Sequence, residues 1–131
     1  MKKYQRIAEF LEFEKSDDEE AKKKINQLLL AAHLNVAACN LKLNENLKAI
    51  ESCEKVLKLD ANNEKALFRI AQANSSLSNF DESIKFYNRV LEVNSENKDA
   101  QNQIKITKQK LKEFNEKEKK LYSKMFSGIG K

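Results

Sequence analysis

The sequence predicts an all-α fold of stacked antiparallel helix pairs, closed by one long C-terminal helix. Two stretches, 30–63 and 64–97, match each other at an offset of 34 residues, a period typical of repeated helix–turn–helix units. The chain contains no Pro, and its 2 Gly residues, Gly128 and Gly130, stand at the very end. Because strand hairpins and nucleotide-binding loops need these residues for their backbone angles, helices joined by polar turns are favoured.

The repeat is supported by its register, in which seven apolar pairs and two polar pairs match at the same offset. The matched pairs are Asn35 with Arg69, Val36 with Ile70, Ala37 with Ala71, Leu43 with Leu77, Ile50 with Ile84, Cys53 with Tyr87, Val56 with Val90, Leu57 with Leu91 and Asn63 with Asn97. One period that fits so many positions indicates two copies of one structural unit.

The first two helices follow from apolar spacing and from a capping signal. An apolar face at i, i+3, i+4 and i+7 predicts an amphipathic helix over Lys2–Glu14. Ser16 followed by Glu19 is a capping box, so the next helix should begin near residue 18 and run to about Leu43.

Polar turns separate the remaining helices. Their predicted ranges are Leu47–Leu59, Glu64–Ser78, Glu82–Val93 and Lys98–Phe126. Asn62 and Asn63 should end the first of these and cap the second. The last carries an apolar seam from Ile104 to Met125 that Thr107 interrupts, so its first turns should cover the last repeat while its second half projects. Cys39 and Cys53 lie at helical core positions, where small buried thiols are expected.

These residues resemble the tetratricopeptide repeat (TPR) family. Ala37, Ala49 and Ala71 stand where that family packs its two helices together, although the consensus Trp, Gly and turn Pro are absent. Ala61 and Ser95 replace the Pro. The resemblance implies a right-handed superhelix of helix pairs.

A second resemblance covers nearly the whole chain. The segments HLNVAACNLKL (33–43), AIESCEKVLKLDANNEKALFR (49–69) and EKKLYSKMF (118–126) are similar to the C-terminal half of large FK506-binding immunophilins. Those co-chaperones join a peptidyl-prolyl isomerase domain to three such repeats. The resemblance implies an isomerase domain upstream of this part, which we expect to be non-enzymatic. The thiols of Cys39 and Cys53 suit a reducing cytosol, so we expect a cytoplasmic protein, with the nucleus as a second compartment.

The same resemblance implies one TPR domain over residues 1–126. It comprises the second helix of a truncated first repeat (1–15), repeat two (30–63, its first helix starting near 18), repeat three (64–97), an extension helix (98–126) and a tail (127–131). We therefore expect the chain to be a piece of a longer protein. The face of the first helix left without its partner, formed by Ile7, Phe10, Leu11 and Phe13, should then favour self-association.

Two groups of polar side chains should converge on the concave wall of such an array. Asn35, Ala38 and Lys42 share a stripe at i, i+3 and i+7, and Lys65, Arg69 and Gln72 share one at i, i+4 and i+7. Two cations and an amide suit a carboxylate ligand. Spacing alone leaves an ordinary polar helix surface equally open.

The family resemblance favours the ligand site. TPR co-chaperones hold the acidic C-terminal peptide Met-Glu-Glu-Val-Asp of the ninety-kilodalton heat-shock chaperone in a "carboxylate clamp". Asn35 matches the clamp Asn of the second repeat, and Lys65 and Arg69 match its last Lys–Arg pair. Ala38 and Lys42 would lie beside them. The first-repeat Lys and Asn are missing, so binding should be weaker than in the longer protein.

Other classes of function have weaker support in the sequence. Residues 98–131 hold 10 Lys and 4 acidic residues, and Lys110–Phe126 forms a basic amphipathic stretch that calmodulin or an acidic surface could bind. We expect no nucleic-acid or membrane partner, because the aromatics follow core periodicity and no apolar run is long enough to span a bilayer. His33 is the only His and no metal, cofactor or nucleophile motif appears, which argues against an enzyme.

Overall fold

The structure, a computed structural model, describes residues 19–129 and builds this range from five helices without a strand. The helices are α1 (Glu19–Lys42), α2 (Asn46–Leu59), α3 (Glu64–Ser76), α4 (Phe80–Val93) and α5 (Lys98–Ile129). The all-α prediction with a long C-terminal helix is confirmed. The helix predicted over Lys2–Glu14, its self-association face and the cap at Ser16 lie outside the described residues. None of the five helices could span a membrane.

The helices pack in chain order as antiparallel pairs. α1 packs on α2 and α3 on α4, while α2–α3 and α4–α5 contacts join one pair to the next. α1 also contacts α3 directly, so the first helices of the two repeats lie side by side on one wall. This arrangement places the outward stripes of α1 and α3 on the same surface.

Small residues allow the helices of each pair to approach closely. Ala37 of α1 and Ala71 of α3 are fully buried, and Ala49 of α2 is 1% exposed. Around them lie two apolar clusters, of which one joins α1, α2 and α3 and the other joins α3, α4 and α5. The largest buried side chains are Tyr87, Leu67, Ile70, Val56 and Val90. Tyr87, Ile70, Val56 and Val90 belong to the apolar pairs of the 34-residue register.

A left-handed residue ends the first helix of each repeat. Asn44 (φ 58°) and Ser78 (φ 63°) occupy equivalent positions. The next residue donates its backbone N–H to a carbonyl five residues back, Glu45 to Asn40 and Asn79 to Asn74, both at 2.8 Å. This is the Schellman arrangement. Because the backbone reverses at Ser78, α3 ends at Ser76 and α4 begins at Phe80, each two residues before the predicted boundary.

Asparagine caps begin α3 and α5. Asn63 Oδ1 accepts the backbone N–H of Ala66 at 3.0 Å, and Asn97 Oδ1 accepts that of Ala100 at 2.9 Å. The cap predicted at Asn63 is confirmed. Asn97 also donates its Nδ2–H to Glu64 Oε1 at 2.7 Å. That bond fixes the start of α5 against the start of α3.

The first half of α5 covers the last repeat and the second half projects. Ala100 and Ile104 are buried against α3 and α4, and Thr107 is buried as well. The Phe114 ring meets Phe80 edge to face with centroids 5.9 Å apart. Beyond this contact the apolar side chains are open to solvent. Their exposures are 59% for Leu121, 60% for Tyr122, 54% for Met125 and 71% for Phe126.

Candidate functional site

The outward stripe of α1 carries the first three predicted site residues. Asn35 and Lys42 are exposed and Ala38 is half-buried. The neighbours Val36 and Ala37 are buried in the core, which fixes the rotation of the helix. Since α1 is continuous from Glu19 to Lys42, all three residues lie along one face of the same helix.

The predicted stripe of α3 lines one shallow cavity of about 440 Å³. Lys65, Arg69 and Gln72 form one side of it, as the i, i+4, i+7 spacing predicts. The other lining residues are Glu64, Phe68, Asn97 and Asp99. Asn35, Ala38 and Lys42 do not line this cavity. The six predicted residues therefore form two adjacent groups and not one enclosed site.

Arg69 connects these two groups. Its Nη1 donates a hydrogen bond of 2.7 Å to the backbone carbonyl of Leu34, the residue before Asn35. The bond holds the guanidinium of α3 against the backbone of α1. It is charge-assisted and half-buried, which makes it stronger than a neutral surface hydrogen bond. The remaining N–H groups of the fork can still donate to a ligand.

The cavity contains acidic as well as basic side chains. The carboxylate of Glu64 accepts hydrogen bonds from Asn94 at 3.0 Å and from Asn97 at 2.7 Å. These amides stabilise its negative charge locally. Asp99 is exposed in the first turn of α5 and also faces the cavity. Lys65 and Arg69 therefore lie beside two carboxylates.

The sequence interpretation missed the contribution of α5 to this site. Asp99 stands 34 positions after Lys65, so extending the repeat register by one helix would have placed it on the same wall. Phe68 was also missed. Its ring packs edge to face on Tyr87, with centroids 5.2 Å apart, and so serves both the core and the cavity.

The cysteines belong to the packing. Cys53 is fully buried and Cys39 half-buried, both as free thiols. Burial raises the pKa of Cys53 to about 12, although the nearby positive charge of Arg69 acts in the opposite direction. Cys53 therefore carries a neutral thiol at physiological pH. Across residues 19–129 no cluster of His, Cys, Asp and Glu is arranged to hold a metal ion.

The fold defines a helical-repeat protein whose first helices present a polar surface with a shallow cavity. A family model described as "Tetratricopeptide repeat" matches residues 30–63 and 64–97. The chain belongs to the tetratricopeptide repeat family.

Known relatives place it near the FK506-binding proteins within that family. Peptidyl-prolyl cis-trans isomerase FKBP4 of Bos taurus is 41% identical over 126 residues, which cover 96% of this chain and 28% of the relative. The chain thus spans little more than a quarter of that protein.

Solved structures agree with this relationship. The C-terminal TPR-containing domain of a Plasmodium falciparum FK506-binding protein has a TM-score of 0.77 and 31% identity, covering 87% of this chain and 76% of that one. The Hsp90 co-chaperone Cns1 of Saccharomyces cerevisiae has a TM-score of 0.73 and 26% identity, covering 95% and 38%. The predicted similarity to the TPR region of immunophilins is confirmed.

Proposed function

We propose that this chain is the peptide-binding TPR domain of an immunophilin co-chaperone. Its ligand would be the acidic C-terminal peptide, of the Met-Glu-Glu-Val-Asp type, of the ninety-kilodalton heat-shock chaperone. Asn35, Lys65 and Arg69 would form a partial carboxylate clamp. Ala38, Lys42 and Gln72 would flank the bound peptide. The main support for this proposal is the hydrogen bond from Arg69 to the backbone beside Asn35, because it joins the two helices, α1 and α3, that would contact the peptide.

The chemistry of the wall suits a weak, exchangeable ligand. A hydrogen bond to a charged group contributes about 1.5–3 kcal/mol net. Two or three such bonds with one apolar contact correspond to binding in roughly the micromolar range. The Cns1 relative is named as an Hsp90 co-chaperone, which is consistent with the same kind of partner.

The isomerase activity named for FKBP4 belongs to the longer protein in this proposal. The 126 matched residues lie in the repeat region that this chain represents, over 28% of the FKBP4 length. An isomerase domain outside this chain would therefore supply the activity, and the repeats would bring it to the chaperone.

The proposal is tested by removing the two cations of α3. Fluorescence anisotropy with a labelled Met-Glu-Glu-Val-Asp peptide measures the Kd. The double variant Lys65→Ala/Arg69→Ala should weaken binding by at least about thirtyfold, the equivalent of roughly 2 kcal/mol. The matched control is Lys85→Ala/Arg89→Ala, which removes the same residue types at the same spacing from α4.

The two double variants carry the same net charge. Arg89 lies over the Phe86 ring at 5.1 Å from its centroid, so thermal unfolding of both variants must be recorded to separate folding from binding. Equal affinities of the two variants would refute the clamp, since only overall charge would then matter. Loss confined to Lys65→Ala/Arg69→Ala supports it.

A second candidate function rests on the projecting half of α5. There, the exposed apolar side chains of Leu121, Tyr122, Met125 and Phe126 are interspersed with lysines. A basic amphipathic helix of this kind fits the apolar groove of calmodulin or another acidic surface. We propose calmodulin binding as an additional activity of this segment.

Calcium-dependent retention on immobilised calmodulin tests this second function. Leu121→Glu/Met125→Glu in the full chain should abolish retention. Leu47→Glu, at a position of α2 that is 72% exposed, is the control and should not change it. Retention that persists without calcium would instead indicate a general attraction between charges.

A further inference from the structure

The 34-residue register relates equivalent positions on α1, α3 and α5. Ala31 of α1, Lys65 of α3 and Asp99 of α5 are separated by successive steps of 34 residues. The next position along each helix is occupied by Asn35, Arg69 and Gln103, and the one after by Ala38, Gln72 and Ile106. The charge at the first position is therefore zero on α1, positive on α3 and negative on α5.

The structure brings the last two of these helices to one cavity. Asp99 lines the same space as Lys65 and Arg69. Across residues 19–129, neither Lys65 nor Asp99 has an ion pair or a side-chain hydrogen bond. Both charges are exposed and can act on a ligand.

The start of α5 is held firmly in this position. Asn97 caps the helix through Ala100 and at the same time bonds Glu64 of α3. Asp99 lies in sequence between Asn97 and Ala100, the two residues that the cap joins. Gln103 lies one turn further along α5 and is half-buried. Ile106 lies a second turn along and is 46% exposed. This stripe of α5 therefore offers one anion, an amide and an apolar side chain.

We propose that Asp99 is a specificity-determining residue of the peptide groove. It confines the carboxylates of a bound peptide to α1 and α3, and it selects an uncharged or basic residue where the peptide crosses α5. This inference rests on the proposed function. The ligand class is therefore a peptide whose acidic residues are grouped at its carboxyl end and whose preceding residue carries no negative charge.

The expected size of the effect follows from Coulomb's law. At a separation of about 8 Å and an effective dielectric of about 40, one added like charge weakens binding by about fivefold, and an opposite charge strengthens it by a similar factor. Because Asp99 is exposed, the effect should shrink as salt is raised.

A charge scan of the peptide tests the assignment. Labelled peptides Gln-Gln-Gln-Met-Glu-Glu-Val-Asp would carry Glu or Lys in place of each of the first four residues in turn. Their Kd values are measured by anisotropy with the full chain and with Asp99→Asn. In the unmodified chain, Glu should bind about fivefold more weakly than Gln or Met at one position, and Lys more tightly. In Asp99→Asn these differences should vanish.

Asp81→Asn is the matched control, because Asp81 is the second residue of α4 as Asp99 is of α5. Both substitutions remove a carboxylate from the first turn of a helix and so have a similar effect on helix stability. Equal Glu and Lys preferences in the unmodified chain and Asp99→Asn would overturn the role of Asp99 alone. An equal change in Asp81→Asn would overturn it too. If no peptide binds either the unmodified chain or Asp99→Asn, the proposed function fails and this inference with it.

Discussion

The guanidinium of Arg69 lies 2.7 Å from the backbone carbonyl oxygen of Leu34, so a side chain of the second matched repeat is anchored on the first. This bond orders the side chain when the protein folds. Under the proposed function, a peptide would therefore lose less affinity to side-chain ordering on binding than it would with a mobile arginine. One hydrogen bond thus couples the packing of the two repeats to the shape of the surface formed by α1 and α3.

Replacing Arg69 by Lys should reveal this coupling. The charge stays, but the planar fork that donates to Leu34, and that would donate to the peptide in the proposed function, is lost. We expect peptide affinity to fall about tenfold and the free energy of unfolding to fall by about 1 kcal/mol. Titration calorimetry and urea unfolding measure the two effects. Lys65→Arg is the control and should change each only slightly, while an Arg69→Lys variant with unaltered affinity would contradict the prediction.

Ser78→Gly should stabilise the protein. Ser78 adopts φ 63°, which costs a residue with a side chain roughly 1 kcal/mol. Glycine avoids this cost but has greater freedom in the unfolded chain, so a net gain of about 0.5 kcal/mol is expected. Urea unfolding at 25 °C measures it. Asn44→Gly, at the equivalent position with φ 58°, should gain less, because Asn tolerates this conformation. A larger gain at Asn44 would be inconsistent with this explanation.

Asn97→Asp should destabilise more than Asn63→Asp. Both variants keep an N-cap acceptor, but the first places a carboxylate where Asn97 donates to Glu64 at 2.7 Å. Asn63 donates to an exposed carboxylate, that of Asp60, at 3.3 Å. We expect an excess loss of about 1–2 kcal/mol in chemical unfolding at pH 7 for Asn97→Asp. The excess should shrink near pH 4, where carboxylates begin to protonate, and an excess that is independent of pH would contradict the charge explanation.

Cys53 and Tyr87, at equivalent repeat positions, should make the fold sensitive to alkali. Burial raises the pKa of Cys53 from 9.0 to about 12 and that of Tyr87 from 10.0 to about 12. Above pH 9 the unfolded chain therefore releases protons that the folded chain retains. Stability due to Cys53 is complete below pH 9 and falls by about 1.4 kcal/mol per pH unit above it, with Tyr87 adding to the slope above pH 10.

Urea unfolding at pH 8, 9 and 10 measures this slope. Cys53→Ala should be less stable than the unmodified chain at pH 8, by about 1 kcal/mol, because it leaves a small cavity. Between pH 9 and pH 10 it should lose less stability than the unmodified chain. Parallel pH profiles of the two proteins would show that the thiol does not titrate differently on unfolding.

Much of this fold could be predicted because apolar spacing determines packing. The resemblance to the TPR family predicts that Ala37 and Ala71 pack between helices, and both are buried. Asn63 caps α3, as its place before an apolar run predicts. The end of α3 was predicted two residues too late, because Ser78 is not a residue type that favours the left-handed conformation it adopts.

The binding wall was less predictable than the core. The side-chain pattern placed Lys65 and Arg69 on one face, and they do line one cavity. It could not show that Arg69 reaches Leu34, since the acceptor is a backbone carbonyl that every residue possesses. Nor did it include Asp99, because the register was followed only to the end of the second matched repeat, at Asn97.

Because α5 projects past Phe114, its inner and outer turns should open to solvent at different rates. Amide protons of its inner turns are protected by packing on α3 and α4, so they should exchange only when the last repeat opens. The outer turns have no such support, and an isolated helix of that length is marginal in water. Their amides should exchange with solvent orders of magnitude faster, and a protease should trim this end while the repeats still unfold as a cooperative unit.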